Sequence, residues 1–435
     1  MIHPCHSPAP DAAAELDADA IRDIALQAGA DDVGLVSLDD PALDDQRIDI
    51  LAAFPFARTL ISFVVRMNRE NIRSAARSAA NLEFHHSGDD CDDIARRIAL
   101  ALQARGVRAA YPSMGFPMEA SRWPEKMWVI SHKPVAVAAG LGRMGINRNV
   151  IHPKFGNFLL LGTVAVEIDL EACAKPLDFN PCFECKLCVA ACPTGAIAPD
   201  GHFDFSACYT HNYREFMGGF SDWTESVVEA KSARAYRAKV SDPETVSMWQ
   251  SLAFGPNYKA GYCMAVCPAG SDVIGAYQAD KRRYLQEVVD PLQKKVETVY
   301  VSTGSDAEAY VPRRFPQKQL KQVDGAPFRP PTIESFLSGL RLVFQRGKST
   351  GLDAVYHFVF TGAERRSATI AIANRQLRVA EGLVGASRLT VTADSETWLR
   401  FLHKETSLIW ALLRGKIRLR GDPRLLLAFG RCFRG

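Results

Sequence analysis

The chain has 435 residues, 47% of them hydrophobic, with a formal net charge of +3. Single hydrophobic cores stop growing at roughly 250 to 300 residues, so the length excludes one domain, and so small a charge gives no reason to expect nucleic acid as a partner. No run of about 18 uninterrupted apolar residues suggests a transmembrane helix, and the first residues lack the basic and apolar regions of a secretory signal, so a reducing cytoplasm, where thiols stay available to metals, is the expected setting.

Residues 1–15, with Pro4, Pro8 and Pro10, are expected to form a disordered lead, and residues 16–170 an α/β domain. LDADAIRDIALQAG reads as an amphipathic helix stopped near Gly29, and DDVGLVSL as a short strand. TLISFVV, residues 59–65, is a buried-strand candidate. CDDIARRIALALQARG, from Cys91 to Gly106, has apolar residues at helical spacing and a glycine stop. Alternating helices and strands of this kind indicate the α/β class.

Gly140-Leu141-Gly142-Arg143-Met144-Gly145 then matches G-x-G-x-x-G, with Glu167 near the distance of a ribose-binding acid. A nucleotide fingerprint must open a helix whose N-terminal amides face a pyrophosphate. Here Pro153 and Gly156 follow within a few residues, in the turn HPKFGN, with strands beyond, so the match is set aside.

A ferredoxin-like α+β domain is expected over 171–290, built around thiols. Cys182, Cys185, Cys188 and Cys192 stand as C-x2-C-x2-C-x3-C-P, and Cys263 and Cys267 follow in CMAVCP. Thiolates suit zinc or iron–sulfur clusters. Zinc ribbons use two separate CxxC pairs, whereas this overlapping spacing is that of bacterial ferredoxins, in which three thiols grip one cluster and the fourth ligates another. One [4Fe–4S] cluster is therefore expected on Cys182, Cys185, Cys188 and Cys267. A second would use Cys192, Cys263 and a distant thiol, with Cys208 as the best candidate. At the place three residues before Cys263 the chain has Ala260. The second cluster is thus a [3Fe–4S] cluster, a [4Fe–4S] cluster with a non-thiol or solvent ligand, or one that borrows Cys173; a missing second cluster would leave three thiols idle.

Residues 291–330, proline-rich in their second half, read as a linker. An α+β domain is expected over 331–435, with a helix at TIESFLSGLRLVFQ, strands at YHFVFTG and ATIAIANRQLRVAEG, and two closing helices around a short strand. The basic residues from Arg414 to Arg434 read as a solvated face or a site for an anionic lipid or acidic partner.

AGLGRMGINRNVIHPKFGNFLLLGTV, followed by the ferredoxin-like thiols, resembles the iron–sulfur reductases that include epoxyqueuosine reductase and the reductive dehalogenases. Those proteins share an AGLG-x-x-G-x-N loop, a P-x-[FY]-G turn and a strand ending LG; EFHHSGDDCDDIARRIALAL resembles their segment with a tyrosine–histidine pair ahead of a helix. The similarity covers about residues 20–275. It implies a cobalamin-binding α/β domain over 16–170, with Gly140, Gly142, Gly145 and Asn147 lining the corrinoid, and it supports Cys208 as a ligand. It also places Lys126, with Glu125 beside it, where epoxyqueuosine reductase has a proton-donating aspartate; these two are the candidate catalytic residues, and the departure argues against the transfer-RNA enzyme. His85 and His86 are candidates to touch cofactor or substrate or simply a polar pair before the helix, and Trp123 and Trp128 to floor a flat substrate or pack a core.

The tail resembles the sterol carrier protein type 2 fold. That resemblance implies an apolar tunnel, which the stripe Trp398, Leu399, Leu402, Leu408, Ile409, Trp410, Leu412 and Leu413 would line or, equally, close as a small core. The expected function is a cytoplasmic, cobalamin-using iron–sulfur reductase of a hydrophobic or lipid-like small molecule, supplied by a ferredoxin or flavoprotein electron donor and with no nucleic-acid partner. The alternative is an electron-transfer or redox-sensing iron–sulfur protein without corrinoid, carrying a lipid-binding tail.

Overall fold

The computed structural model describes residues 16–123, 126–170, 175–182, 184–323 and 329–433. The proposed lead over 1–15, Glu125 and Cys173 lie outside them. The chain divides into two compact units: the first comprises the residues up to Ala120, Trp128–Cys185 and Cys267–Tyr284, and the second Ser121–Met127, Lys186–Val266 and the residues from Leu285 onward. No helix among the described residues is long and apolar enough to cross a membrane.

The first unit is built on a sheet of four strands, β1 (Asp32–Ser37), β2 (Thr59–Arg66), β3 (Ala109–Ala110) and, after a two-stranded hairpin of β4 (Arg143–Met144) and β5 (Val150–Ile151), β6 (Leu159–Val166). Their order is β1-β2-β6-β3. Side chains alternate faces along a strand, so Ile61, Phe63 and Val65 of β2 pack with the helices Ala18–Gln27 and Arg77–Gln103. Leu60 joins Ile50, Val135 and Ala138 on the opposite face, and Val64 joins Ala136 and Leu161 there. With helices over both faces, β6 is buried along its whole length. Gly162 of β6 stands opposite Phe63, where a Cβ would collide with the ring.

Two expectations change here. Every pairing in this sheet is antiparallel, so the alternating helices and strands read as an α/β domain are joined here without a parallel pair; strand order is set by packing between remote segments. The helix expected from Cys91 starts at Arg77, which puts His85 and His86 inside it rather than ahead of it. Gly88 is tolerated mid-helix because the space a Cβ would need is taken by the end of the Met114 side chain, at 2.8 Å.

In the second unit, the helices Gly218–Glu229, Ala233–Lys239 and Asp242–Phe254 separate the thiol groups. The last is opened by a capping box between Ser241 and Glu244, which satisfies two otherwise orphaned amides. The expected linker is not one. Strands β7 (Thr298–Ser302) and β8 (Gln319–Val323) pair in parallel, with the helix Asp306–Arg314 between them. The tail forms a five-stranded sheet of β9 (Ala354–Thr361), β10 (Ser367–Ala373), β11 (Gln376–Glu381), β12 (Leu389–Asp394) and β13 (Ile417–Gly421), in the order β11-β10-β9-β12-β13. Only β9 and β12 are parallel neighbours. The inward-facing Tyr356, Phe358 and Phe360 of β9 form its core with Phe336, Trp398 and Phe429.

Candidate metal centre

All nine cysteines among the described residues are free thiols. Cys91 belongs to the first unit's core and Cys432 to the tail's; burial pushes both thiols up from their ordinary value. The other seven are those singled out by spacing.

Three of them, Cys182, Cys185 and Cys267, lie in the first unit. The Ile146 amide donates to the Cys182 sulfur at 3.5 Å, and the Cys182 amide donates to Asn180 Oδ1 at 3.0 Å. Glu184 and Lys186, on either side of Cys185, both take left-handed φ values, 55° and 52°; turns of this kind gather successive amides into concavities that hold anionic clusters. Cys185 and Cys267 both act electrostatically on one side chain. Tyr284 has its hydroxyl pushed up to about 12, chiefly by burial, and both thiols contribute against the lowering effect of Arg73.

The chain just past Cys267 is held by the HPKFGN turn. The amides of Ser271 and Asp272 donate to the carbonyls of Pro153 and Lys154 at 2.8 and 3.1 Å. Gly156, at φ 63°, faces the Ala269 carbonyl where any Cβ would collide. His152 Nδ1 accepts the amides of Lys154 and Phe155, so Nε2 carries the proton and donates to Asp32 Oδ2 at 2.8 Å. Burial works to raise the Asp32 carboxyl, but the His152 and Val33 hydrogen bonds outweigh it and hold the group low. Composition and spacing gave no sign of this His–Asp pair, although the turn itself was legible.

Cys188, Cys192, Cys208 and Cys263 lie in the second unit. The helix Leu187–Ala191, which carries Cys188 and ends at Cys192, packs on the helix Tyr262–Ala265, which carries Cys263. Thr194 Oγ1 lies 3.7 Å from the Cys192 sulfur. Cys208 sits on the helix Phe205–Asn212, begun by Asp204, whose carboxylate accepts the Ala207 amide. The end of that helix receives the other segment: the Lys259 amide donates to the Asn212 carbonyl at 3.2 Å and the Ala260 amide to Asn212 Oδ1 at 2.9 Å. Tyr258 meets both Tyr213 and Phe216 edge to face beside this junction. Burial first, then Tyr258 and Cys208, raise the Tyr213 hydroxyl above its ordinary range.

Behind Cys263 lies a buried ionic group. The Tyr262 hydroxyl donates to Glu297 at 2.6 Å, and Lys318, whose side chain is fully buried, also donates to Glu297 at 2.6 Å. His211, 1% exposed, accepts the Tyr300 amide at Nδ1, and its Nε2 has no partner. Burial lowers it to about 4, so it is neutral. No sequence signal distinguished His211.

Among the described residues, no three His, Cys, Asp or Glu side chains close to within reach of a single ion, so they form no ready-made tetrahedral zinc site. The thiols instead fall on separate packed segments, with an amide donor at the Cys182 sulfur, an arrangement that fits polynuclear clusters, whose metal atoms meet the protein at several corners.

The four residues assigned to a corrinoid have work within the protein. Gly140, at φ 76°, ends the helix His132–Ala138 as a left-handed cap, so the G-x-G-x-x-G run closes a helix rather than opening one. A Cβ on Gly142 would meet the Ile151 carbonyl at 2.5 Å, and one on Gly145 would meet Asn147 Oδ1 at 2.8 Å. Both positions therefore require glycine for the loop's own packing. Asn147, buried, accepts the Asn149 amide. Lys126 is half-buried, His85 half-buried and His86 exposed. Trp123 stacks on Tyr209 with centroids 6.2 Å apart, while Trp128 is 43% exposed.

A cavity of about 1400 Å³ in the second unit is lined by Phe336, Trp398, Leu402, Leu408 and Phe429 on one side and by Arg214, Lys321 and Arg329 on another. Of the proposed apolar stripe, Ile409, Trp410 and Leu413 instead face solvent.

Residues 344–434 match the SCP-2 sterol transfer family. The curated relatives matched by the rest of the chain include epoxyqueuosine reductases; that of Gloeobacter violaceus is 29% identical over 177 residues, 39% of this chain and 50% of the relative. The chain spans between a fifth and about three fifths of the length of the relatives it matches first. A crystal structure of epoxyqueuosine reductase with a tRNA-Tyr epoxyqueuosine-modified stem loop covers 46% of this chain and 57% of that one, with a TM-score of 0.30 and 16% identity. A catabolic reductive dehalogenase covers 63% and 37%, with a TM-score of 0.38 and 15% identity. The chain is thus similar to epoxyqueuosine reductases, with reductive dehalogenases among its structural neighbours, and ends in an SCP2-like segment. These findings overturn the expected partners. The curated relatives are reductases of epoxyqueuosine, so neither a hydrophobic substrate nor the exclusion of nucleic acid stands. The exclusion failed because a net charge averages over the whole surface and says nothing of local patches.

Proposed function

We propose that this chain is an iron–sulfur oxidoreductase of the corrinoid-using kind, acting on a modified nucleoside in RNA such as the epoxyqueuosine for which its relatives are named. Cys182, Cys185, Cys188 and Cys267 hold one [4Fe–4S] cluster, and Cys192, Cys208 and Cys263 hold the second. The observation that carries this reading is the packing of the helix Leu187–Ala191, which carries Cys188 and ends at Cys192, on the helix Tyr262–Ala265, which carries Cys263. When bound, such clusters relay single electrons and a corrinoid delivers them to a substrate bond.

The chain's own residues prepare that chemistry. The Ile146 amide donates to the Cys182 sulfur and fixes that thiol against the loop before it. The Gly156 turn fixes the backbone that follows Cys267, and the Tyr262–Glu297–Lys318 group anchors the helix carrying Cys263. Lys126 holds a proton at Nζ for the substrate, the role its aligned position suggests.

The test is anaerobic reconstitution with iron, sulfide and cobalamin, followed by gel filtration and titration with an epoxyqueuosine-modified RNA stem loop at two salt concentrations. The reading expects iron, sulfide and a corrinoid absorption band to co-elute, and RNA binding that weakens with salt. Clusters without corrinoid would instead support an electron-transfer or redox-sensing protein.

A further inference from the structure

We infer that the second cluster keeps one iron without a protein thiolate, beside Ala260, and that this iron takes a small exogenous donor such as hydroxide, cyanide or a low-molecular-weight thiol. The inference rests on the two-cluster reading above and extends it to an exchangeable ligand site.

The second thiol segment has the spacing x2 from position 260 to Cys263 and x3 from Cys263 to Cys267-Pro268, the order of the first motif's last three thiols with the leading one replaced by alanine. Position 260 is nonetheless held in place. Its amide donates to Asn212 Oδ1 at 2.9 Å, and the preceding amide to the Asn212 carbonyl. Asn212 closes the helix on which Cys208 lies one turn earlier, and Cys263 sits on the helix packed against the one that ends at Cys192. Three thiol-bearing segments and residue 260 thus belong to one local framework, and what that residue offers is a methyl group, which has no lone pair to give iron.

Three polar neighbours on the same two segments are committed elsewhere. Asn212 Oδ1 takes the Ala260 amide. Lys259 is ion-paired with Glu215. His211 accepts the Tyr300 amide at Nδ1, which leaves the proton on Nε2 and no lone pair there for iron. That Nε2–H is buried and without an acceptor, and a buried orphan donor calls for a partner absent from the chain.

The test compares the reconstituted wild type with Ala260→Cys and Cys173→Ser, using iron counts and electron paramagnetic resonance. Ferricyanide is the probe for a labile iron. It takes one electron as [4Fe–4S]2+ gives [3Fe–4S]+ and Fe2+, which balances charge and iron. The wild type should lose about one iron per chain and gain a three-iron signal, reversed by ferrous iron and dithionite, and cyanide should shift the reduced cluster's spectrum. Cys173→Ser should behave like wild type, and Ala260→Cys should keep its iron and ignore cyanide. Two clusters that keep every iron and ignore cyanide in the wild type overturn this inference alone, as does a Cys173→Ser protein that newly acquires the labile iron. A preparation without iron and sulfide overturns the two-cluster reading and this inference with it. Because the wild-type response to ferricyanide and cyanide decides by itself, misfolding of Ala260→Cys would not rescue the proposal.

Discussion

Gly156 faces the carbonyl oxygen of Ala269 so closely that no side chain can stand between them, and Ala269 lies two residues past Cys267. A turn read from sequence only as a break between strands therefore bears on the backbone that presents a cluster ligand.

Gly156→Ala should destabilise the first unit by about 3 kcal/mol or more, since a left-handed alanine alone costs roughly 1 kcal/mol and the collision adds to it. Iron counts and thermal unfolding check this. The expected result is loss of the Cys267-ligated cluster at temperatures where the wild type keeps it.

The cysteines should separate by role. Cys91→Ala, in the first unit's core, should keep full iron content while lowering stability by about 1 kcal/mol. Cys208→Ala should lose the second cluster's signal and leave the first cluster's in place.

Lys318 is buried against Glu297. Removing one partner of a buried pair strands the other's charge, so Lys318→Met should cost about 3 to 5 kcal/mol. The double variant Lys318→Met/Glu297→Gln should recover much of that. Denaturant midpoints of the three proteins, followed in the second unit, are the measure.

His211 sets a pH dependence. Burial lowers it to about 4 from its ordinary 6.5, so between those values the unfolded chain binds the proton and the folded chain does not. Its contribution is present in full above about 6.5 and is lost as the pH falls toward 4. The loss is at most about 3 kcal/mol. His211→Phe should flatten that slope in denaturation midpoints at pH 7 and pH 5; an unchanged slope would place the titrating group elsewhere.

What could be read from sequence was what repeats at short range. Helical spacing located Ala18–Gln27, a run of large aliphatics located β2, and thiol spacing grouped six cysteines, with Cys208 added as a distant candidate. What escaped depended on remote packing. Prolines suggested a linker, yet Pro312 sits within the helix Asp306–Arg314, and β8, with Gln319, Lys321 and Gln322, has no apolar alternation to betray a strand. The start of the helix at Arg77 was hidden by Gly88 and its polar neighbours, because the Met114 contact that makes a glycine suitable there comes from 26 residues away. The buried His211 and the Asp32–His152 bond leave no periodic trace at all.

The most direct test of the account is quantification of iron, acid-labile sulfide and zinc in protein prepared without oxygen, with paramagnetic resonance of the reduced sample. The account predicts iron and sulfide in near-equal amounts and two interacting cluster signals, one of which disappears in Cys208→Ala. Zinc without sulfide, or colourless protein after reconstitution, would contradict it.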